Sequence, residues 1–548
     1  MTDASAALAP SGYADGFARA NLPPPDAWPE FRFDLPELQY PPRLNSVAEL
    51  LDAATVRGWE ARTALVGSRE RLTYAQLRAR VDRIAHVLRR DLGLATGSRV
   101  LLRGANCPMM AACILAVIKA GCIAVPSMPL LRARELGAIA GRARVDAVLC
   151  AASLRADVDA MEPCAPSGSP VPLVLFDDAD APDSLEARMA AHGDAFHAPD
   201  TAADDVCLIS FTSGTTGVPK GTMHFHRDLL AICDCFPRHV LRSRMDDVFI
   251  GTPPLAFTFG LGGLLLFPLR VGASAVLVER LSPESLLAAI QEHRATVCFT
   301  APTFYRQMSQ LASRFDLRSL SRSVSAGEAL PVATRAAWKA ATNLDMIDGI
   351  GATEMLHIFI SAAGSEARAG ATGKPVPGYQ ACILDEDGLP VGPGVVGRLA
   401  VKGPTGCRYL DDPRQRNYVQ DGWNITGDAY EMDADGYFYY RSRLDDMIIS
   451  AGYNIAGAEV EEALLHHPAV AECGVVGRPD EERGQVVEAH VVLKPGVEAS
   501  SELAAALQEF VKAQIAPYKY PRVVRFREQL PRTETGKLQR FKLRTDAV

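Results

Sequence analysis

The segment Thr212-Ser213-Gly214-Thr215-Thr216-Gly217-Val218-Pro219-Lys220 concentrates residue types that bind phosphate. It follows the apolar run Val206 to Phe211, as a loop does on leaving a buried strand. Small residues let backbone N–H groups approach phosphate oxygens, the hydroxyls of Thr212, Ser213, Thr215 and Thr216 add donors, and Lys220 brings positive charge. The P-loop of nucleoside triphosphatases ends differently. Its lysine lies between a glycine and a Ser or Thr that opens a helix, whereas here Pro219 precedes Lys220 and Gly221 follows it. Taken alone, such a stretch is also what a flexible connection looks like.

The elements that must hold this loop read as an α/β protein. From about Leu50 to Arg441 short apolar runs alternate with helical patterns: Val100 to Leu102, then Met109 to Lys119, then Cys122 to Pro126 read strand, helix, strand. Ala147 to Cys150 and Leu173 to Phe176 read as further buried strands. Such alternation predicts parallel-rich sheets flanked by helices in a large N-terminal part. After Asp445 the pattern restarts as a smaller α+β unit, with Val460 to His466 and Leu503 to Gln514 helical and Val470 to Val476 and Val486 to Leu493 strand-like. The division expected is 1–444 and 445–548. Seven prolines between Pro23 and Pro42 make residues 1–45 an extended arm. Ser46-Val47-Ala48-Glu49 has the spacing of a capping box and predicts the first helix start. Asp385 to Gly388 and Asp433 to Gly436 are Asp-rich, but neither leads to the glutamate a calcium loop needs, so hairpin turns are expected.

Composition narrows the function. With 548 residues and 48% hydrophobic content the chain can bury more than one core. A net charge of -8 argues against nucleic-acid binding, which needs a basic face. The 12 cysteines form no Cys-x-x-Cys pair and read as reduced, buried residues of a cytoplasmic protein. Met1 to Pro10 lacks the basic and apolar regions of a secretory leader, and the longest apolar run, Gly260 to Leu269, is too short to span a bilayer.

The loop resembles the phosphate-binding signature of the adenylate-forming superfamily of acyl- and aryl-CoA ligases, luciferases and peptide-synthetase adenylation domains. Its other signatures follow in order. Ser325-Ala326-Gly327-Glu328 to Pro331 resembles the adenine-wall loop, and Asp348-Gly349-Ile350-Gly351-Ala352-Thr353-Glu354 the segment that supplies a phosphate hydroxyl from Thr353 and a magnesium carboxylate from Glu354. Thr426-Gly427-Asp428 and Arg441 to Ile448 resemble the stretches carrying the ribose-binding residues, here Asp428 and Arg443, and the hinge, here Asp445. Pro531 to Arg540 resembles the motif of the catalytic lysine, here Lys537. The sequence departs from the common pattern at Ile350, where an aromatic often stacks on adenine, and at Ser442, Ile449 and Gly457.

The resemblance implies ATP, Mg2+ and coenzyme A as reaction partners. A carboxylate is a poor electrophile, so the acid is first joined to the α-phosphate of ATP, with pyrophosphate leaving. Lys220 and the loop N–H groups would hold the pyrophosphate, and Glu354 the metal that neutralises it. The small domain would then turn about Asp445, withdraw Lys537 and present Gly452 and Tyr453 to the thiol. No carrier domain follows Val548, so free coenzyme A is the expected acceptor. A carrier protein acting in trans stays open, as does a homodimer.

For the acid, Met355-Leu356-His357-Ile358-Phe359 and Leu255-Ala256-Phe257-Thr258-Phe259-Gly260 resemble the aryl-site segments of benzoate-type CoA ligases. Phe257, Phe259, Gly260, His357 and Ile358 are thus the expected substrate-binding residues, since flat side chains suit a flat acid. The bland alternative makes them core residues, with His357 a hydrogen-bonded buried histidine. Asn21 to Asn45 and Met447 to Gly457 resemble 2-aminobenzoate-CoA ligases, which favours 2-aminobenzoate, then benzoate. A medium-chain acyl-CoA ligase, a standalone adenylating enzyme that loads a carrier, and a binding protein without turnover are the alternatives.

Overall fold

The computed structural model describes residues 8–161, 171–178, 181–212, 219–280, 282–450, 453–480, 483–515, 517–532 and 538–545. It has a mixed α/β fold with a large N-terminal and a small C-terminal domain. In the large domain, the six-stranded sheet runs in the order Leu173–Phe176, Ala147–Ala151, Arg99–Arg103, Ile123–Ser127, Val206–Thr212, Lys220–Phe225. Its pairs are parallel except the last, in which Lys220–Phe225 turns back on Val206–Thr212. A nine-stranded sheet carries a parallel run from Met346–Gly351 through Arg322–Ala326, Val297–Thr300, Val248–Gly251 and Ser274–Val276 to Thr63–Val66, with antiparallel strands at both edges. Parallel strands read as near-continuous apolar runs because both faces are covered. The strands Arg99–Arg103, Ile123–Ser127 and Ala147–Ala151 are accordingly buried along their whole length.

The helix Pro108–Lys119 shows how local chemistry and packing agree. Cys107 caps it, its sulfur accepting from the Met110 N–H at 3.4 Å, and Pro108 fills a first-turn position that needs no N–H donor. Every residue of this helix is buried, which suits an element apolar on all sides. Its one cation, Lys119, meets Asp52 at 2.6 Å and Asp82 at 2.5 Å.

The proline-rich arm carries only the short turns Phe17–Ala20, Pro25–Ala27 and Pro36–Leu38, and polar bonds fasten it to the body. Ser11 donates to Asp205 at 2.5 Å, Tyr40 to Asp234 at 2.8 Å, and the Arg32 N–H to the Gly403 carbonyl at 2.9 Å. The first helical segment does not start on a Ser46–Glu49 capping box. Asn45 is the cap, its side-chain oxygen accepting from Val47 and Ala48 at 3.2 Å. Ser46 is engaged by His226 Nδ1 at 3.0 Å, and Glu49 turns to Arg57 and Arg270. Both aspartate turns lie between antiparallel strands: Asp385 to Gly388 between Gln380–Leu384 and Val396–Lys402, and Asp433 to Gly436 between Trp423–Met432 and Phe438–Arg443.

That third, antiparallel sheet is joined to the six-stranded one by the segment after Lys402. The Met223 N–H donates to the Arg408 carbonyl and the Leu410 N–H to the Gly221 carbonyl, both at 2.8 Å, so Arg408 to Leu410 runs along the strand Lys220–Phe225. Between them Arg408 is fully buried, paired with the fully buried Asp228 and set over the Phe225 ring with 3.9 Å to its centroid. In the C-terminal part, the strands Val470–Asp480 and Gly484–Leu493 pair along their length. The helices Gly457–Leu465 and Ser501–Gln514 supply Val460, Leu464, Leu507 and Val511 to a separate core. No helix among the described residues is long and apolar enough to cross a membrane.

Burial works against both charges of the Arg408–Asp228 pair, pushing the carboxyl up and the guanidinium down, and their mutual attraction is the largest offset to it. Arg408→Met leaves Asp228 buried without its partner and is expected to cost about 3–5 kcal/mol in urea unfolding. The Arg408→Met/Asp228→Asn double variant should recover most of that loss. A double variant as unstable as the single one would show that the pair is not the source of the cost.

Candidate functional site

Thr212 and Lys220, which flank the segment expected to bind phosphate, are register partners at one end of the antiparallel pair. Ser213, Gly214, Thr215, Thr216 and Gly217 lie outside the described residues. The Lys220 Nζ stands 3.0 Å from the hydroxyl of Tyr409 and 3.7 Å from Glu354 Oε1, and Tyr409 donates a short hydrogen bond to that same oxygen. Glu354 is buried, Thr353 half-buried. They sit in a tight connection from Met346–Gly351 to Ile358–Ser361, where the buried Leu356 has φ +68°, a conformation an L side chain seldom adopts. That turn lets Glu354 and His357 leave one short connection for different surroundings.

The carboxyl ends of the parallel strands, where ligands bind in open α/β sheets, supply the next group. Ser325 pairs with Asp348 and Ala326 with Gly349 across two adjacent parallel strands, and Gly327 follows with φ +90°. Glu328 Oε2 accepts from the Thr303 hydroxyl at 2.8 Å. Asp348 is half-buried with its Oδ1 enclosed and unpartnered among the described residues, and desolvation pushes the carboxyl up to about 7. Ile350 is half-buried. Gly349 and Gly351 have a packing duty: a Cβ at Gly349 would lie 2.8 Å from Ile358 Cδ1, and one at Gly351 2.8 Å from the His357 backbone. On the antiparallel sheet Asp428 and Arg443 are cross-strand partners, Arg443 Nη1 donating to Asp428 Oδ1 at 3.0 Å. Gly427, with φ +79°, makes room, since a Cβ there would come within 2.8 Å of the Arg443 guanidinium.

His357 lies in a nest of rings. Phe267 meets it edge-on at 4.4 Å between centroids, with Phe259 at 5.7 Å, Phe236 at 5.8 Å and Phe299 at 6.4 Å. A Cβ at Gly262 would fall 2.4 Å from His357 Cδ2, so that glycine admits the imidazole. Burial pushes the imidazole down to about 3, and it is neutral. The Phe259 backbone lies close enough to favour the charged form slightly, but neither ring nitrogen meets a partner in hydrogen-bonding geometry. The satisfied buried histidine of the bland alternative is thus not what the described residues show. Ile358 packs beside this nest against Gly349, and Gly260 lies under the Pro254 carbonyl. Phe257 is half-buried at the start of the helix Thr258–Leu261 and makes no ring contact among the described residues.

The small domain approaches the same face. Arg306 reaches Glu472 at 2.6 Å, and Arg532 reaches Glu472 at 3.0 Å and Glu328 at 3.7 Å. Lys537 and Gly452 lie outside the described residues. Asp445 falls in the turn Leu444–Asp446 and Tyr453 opens the strand Tyr453–Ile455. Tyr409, Thr303, Phe236, Phe267 and Phe299 were not singled out by sequence. Tyr409 stands in no Gly-rich or charged motif, and the phenylalanines are spread over separate apolar runs.

Residues 53–408 match the AMP-binding enzyme family and residues 459–537 the AMP-binding enzyme C-terminal domain. The chain belongs to the AMP-binding enzyme family. It is 37% identical over 527 residues to a benzoate–CoA ligase of Thauera aromatica, covering 93% of this chain and 97% of that ligase. The crystal structure of the anthranilate CoA ligase AuaEII in complex with anthranoyl-AMP is similar with a TM-score of 0.85 and 32% identity, over 94% of this chain and 99% of that one. A benzoate CoA ligase from Burkholderia xenovorans LB400 matches with a TM-score of 0.83 and 33% identity, over 91% and 100% of the respective chains. This kinship puts the chain among the AMP-forming acid–thiol ligases, which use ATP and coenzyme A.

The raised Asp348 carboxyl has a consequence for stability. Its contribution is fully present below the unfolded value, near 3.8, and is lost as pH rises through about 7. Asp348→Asn removes this titration. The variant is expected to gain on the wild type between pH 4 and pH 7 in urea midpoints, with no further change above about pH 8. A pH-independent difference would mean that Asp348 ionises normally in the folded protein.

Proposed function

We propose that the chain is an ATP-dependent aryl-CoA ligase that converts a benzoate-type acid, with 2-aminobenzoate preferred over benzoate, to its acyl-adenylate and then to the CoA thioester. The observation that carries this reading is the ring nest around the unpartnered, neutral His357, which follows closely on Glu354 in the same short connection. Four phenylalanine rings offer flat apolar contact, and a neutral imidazole offers one donor and one acceptor for a polar group on the ring. The similarity to ligases named for benzoate and anthranilate supports the same class.

In this reading a carboxylate oxygen of the acid attacks the α-phosphorus of ATP and the bond to the β-phosphate breaks, releasing pyrophosphate. Thr212, the segment Ser213 to Gly217 and Lys220 hold the departing charge, with Thr353 as a further donor. Glu354 fits a magnesium site that takes one protein carboxylate and shares the rest of its coordination with phosphate oxygens and water. Among the described residues no group of three His, Cys, Asp or Glu comes together to form an all-protein cage. Bound there, Mg2+ would neutralise phosphate charge. Ala326, Gly327 and Glu328 face the adenine together with Asp348 to Gly351, and Asp428 with Arg443 binds the ribose. Lys537 stabilises charge where the new bond forms. In the second half the CoA sulfur attacks the acyl carbon and AMP leaves, after residues 445–548 have turned about Asp445 to bring Gly452 and Tyr453 to the thiol. The enzyme acts in the cytoplasm.

An acid panel tests the substrate class. Benzoate and 2-aminobenzoate are expected to exceed hexanoate and acetate in kcat/KM by about 10- to 100-fold, the scale for losing apolar contacts in a shaped site. His357→Leu should cost 2-aminobenzoate roughly tenfold more than benzoate, because only the former has a ring substituent to pair. Hexanoate turned over faster than every benzoate would sink the aryl reading.

Lys537→Ala separates the halves. Adenylate formation should fall by a factor on the order of a hundred, while thioester formation from supplied benzoyl-adenylate and CoA persists. Equal loss in stopped-flow measurements of both halves would remove the assignment of Lys537 to the first step alone.

A further inference from the structure

We propose that Tyr409 is a positioning residue of the adenylation half-reaction, its hydroxyl acting as a spacer that keeps Lys220 and Glu354 from closing on each other. The inference rests on the nucleotide-site roles of those two residues given above. Tyr409 is fully buried and clamped on several sides. It forms an antiparallel bridge with Thr222, its N–H donates to Gln415 Oε1 at 2.9 Å, and its ring meets that of Tyr418 edge-on at 5.9 Å. Gln415 is itself held by the carbonyls of Cys407 at 3.0 Å and Ala27 at 2.8 Å. The phenol cannot follow its partners about.

A phenol keeps its proton at working pH, its ordinary value lying at about 10. A neutral phenol has one proton to give and a lone pair to accept with. The proton goes to Glu354 Oε1 and the lone pair receives Lys220 Nζ, whose charge also lies 5.0 Å from the ring centroid. The relay has one direction, Lys220 to Tyr409 to Glu354. A buried ammonium and carboxylate otherwise approach to about 2.7–2.9 Å and bond directly. Here they stand 3.7 Å apart with the hydroxyl between them. Both contacts fall on Oε1, so Oε2 stays outside the relay. Lys220 is left able to turn to phosphate and the carboxylate to a phosphate-bound cation, with no direct ammonium–carboxylate hydrogen bond to break first.

Isothermal titration of the full-length protein with MgATP, and with ATP in EDTA, tests this. Tyr409→Phe is expected to weaken MgATP binding about tenfold, the scale of one charge-assisted hydrogen bond, and to change metal-free ATP binding much less. Adenylation should show a raised KM for MgATP at unchanged KM for the acid, and thioester formation from supplied benzoyl-adenylate should stay at the wild-type rate. Adding Tyr409→Phe to Glu354→Gln should cost nothing further, because no ion pair remains to be held apart. Wild-type MgATP affinity in Tyr409→Phe, equal loss in both halves, or full additivity in the double variant would overturn the assignment. If Lys220→Gln and Glu354→Gln themselves leave MgATP binding unchanged, it is the underlying nucleotide reading that fails. A measurement on unsubstituted tyrosines covers the case in which Tyr409→Phe does not fold. With 13Cζ-labelled tyrosine, MgATP should shift one buried tyrosine signal in the wild type and not in Glu354→Gln, and the absence of any such shift in the wild type counts against the spacer.

Discussion

The buried pair of Arg408 and Asp228 is the constraint on which the site hangs. A guanidinium stripped of water is tolerable only beside a carboxylate, so the segment Cys407 to Leu410 must lie where Asp228 waits, along the strand Lys220–Phe225. Two sheets are thereby locked together, and the next residue, Tyr409, falls in register with Thr222. From there its hydroxyl reaches both Lys220, at the start of the strand Lys220–Phe225, and the glutamate delivered by the nine-stranded sheet. Three layers thus meet at one phenol, and none of the three supplies the arrangement alone.

Desolvation sets the chemistry of the other groups in the same way. Asp348, His357 and Tyr409 are shifted by burial first and by neighbouring groups second, and each is driven toward its neutral form. Glu354 and Lys220 stand 3.7 Å apart on the other side of the turn. The result is a division by polarity: a neutral nest of rings around His357 and a polar corner around Glu354 and Lys220, separated by the strained turn at Leu356.

Much of this was legible in the sequence, for reasons that can be stated. The buried strands showed as apolar runs and the Asp-Gly turns as hairpins, because each signal is local. What escaped was set by tertiary contact. Asn45 and Ser46 are both able caps, and which one serves depends on His226, remote in sequence, taking the Ser46 hydroxyl. Phe257 and Phe259 look alike in the sequence, yet only Phe259 turns into the nest, since Phe257 sits at the cap position of its helix. Phe236, Phe267 and Phe299 come from three separate elements and converge only in the folded chain.

Gly262 and Gly427 make the same point from the opposite side. Neither belongs to a phosphate loop, and the roles both play are defined by what a single carbon would strike: the imidazole of His357 in one case, the guanidinium of Arg443 in the other. A glycine chosen for its backbone freedom can be guessed from turn chemistry, and Gly427 with φ +79° is of that kind as well. A glycine chosen for the space it leaves cannot, because the side chain that fills the space is far away in sequence. Gly262 lies within the apolar run that the sequence reading weighed only as a bilayer span, and it is the absence of its side chain that lets a polar ring stand among phenylalanines with both nitrogens unspent. The make-up of this nest therefore depends as much on where the chain omits atoms as on the rings it places there.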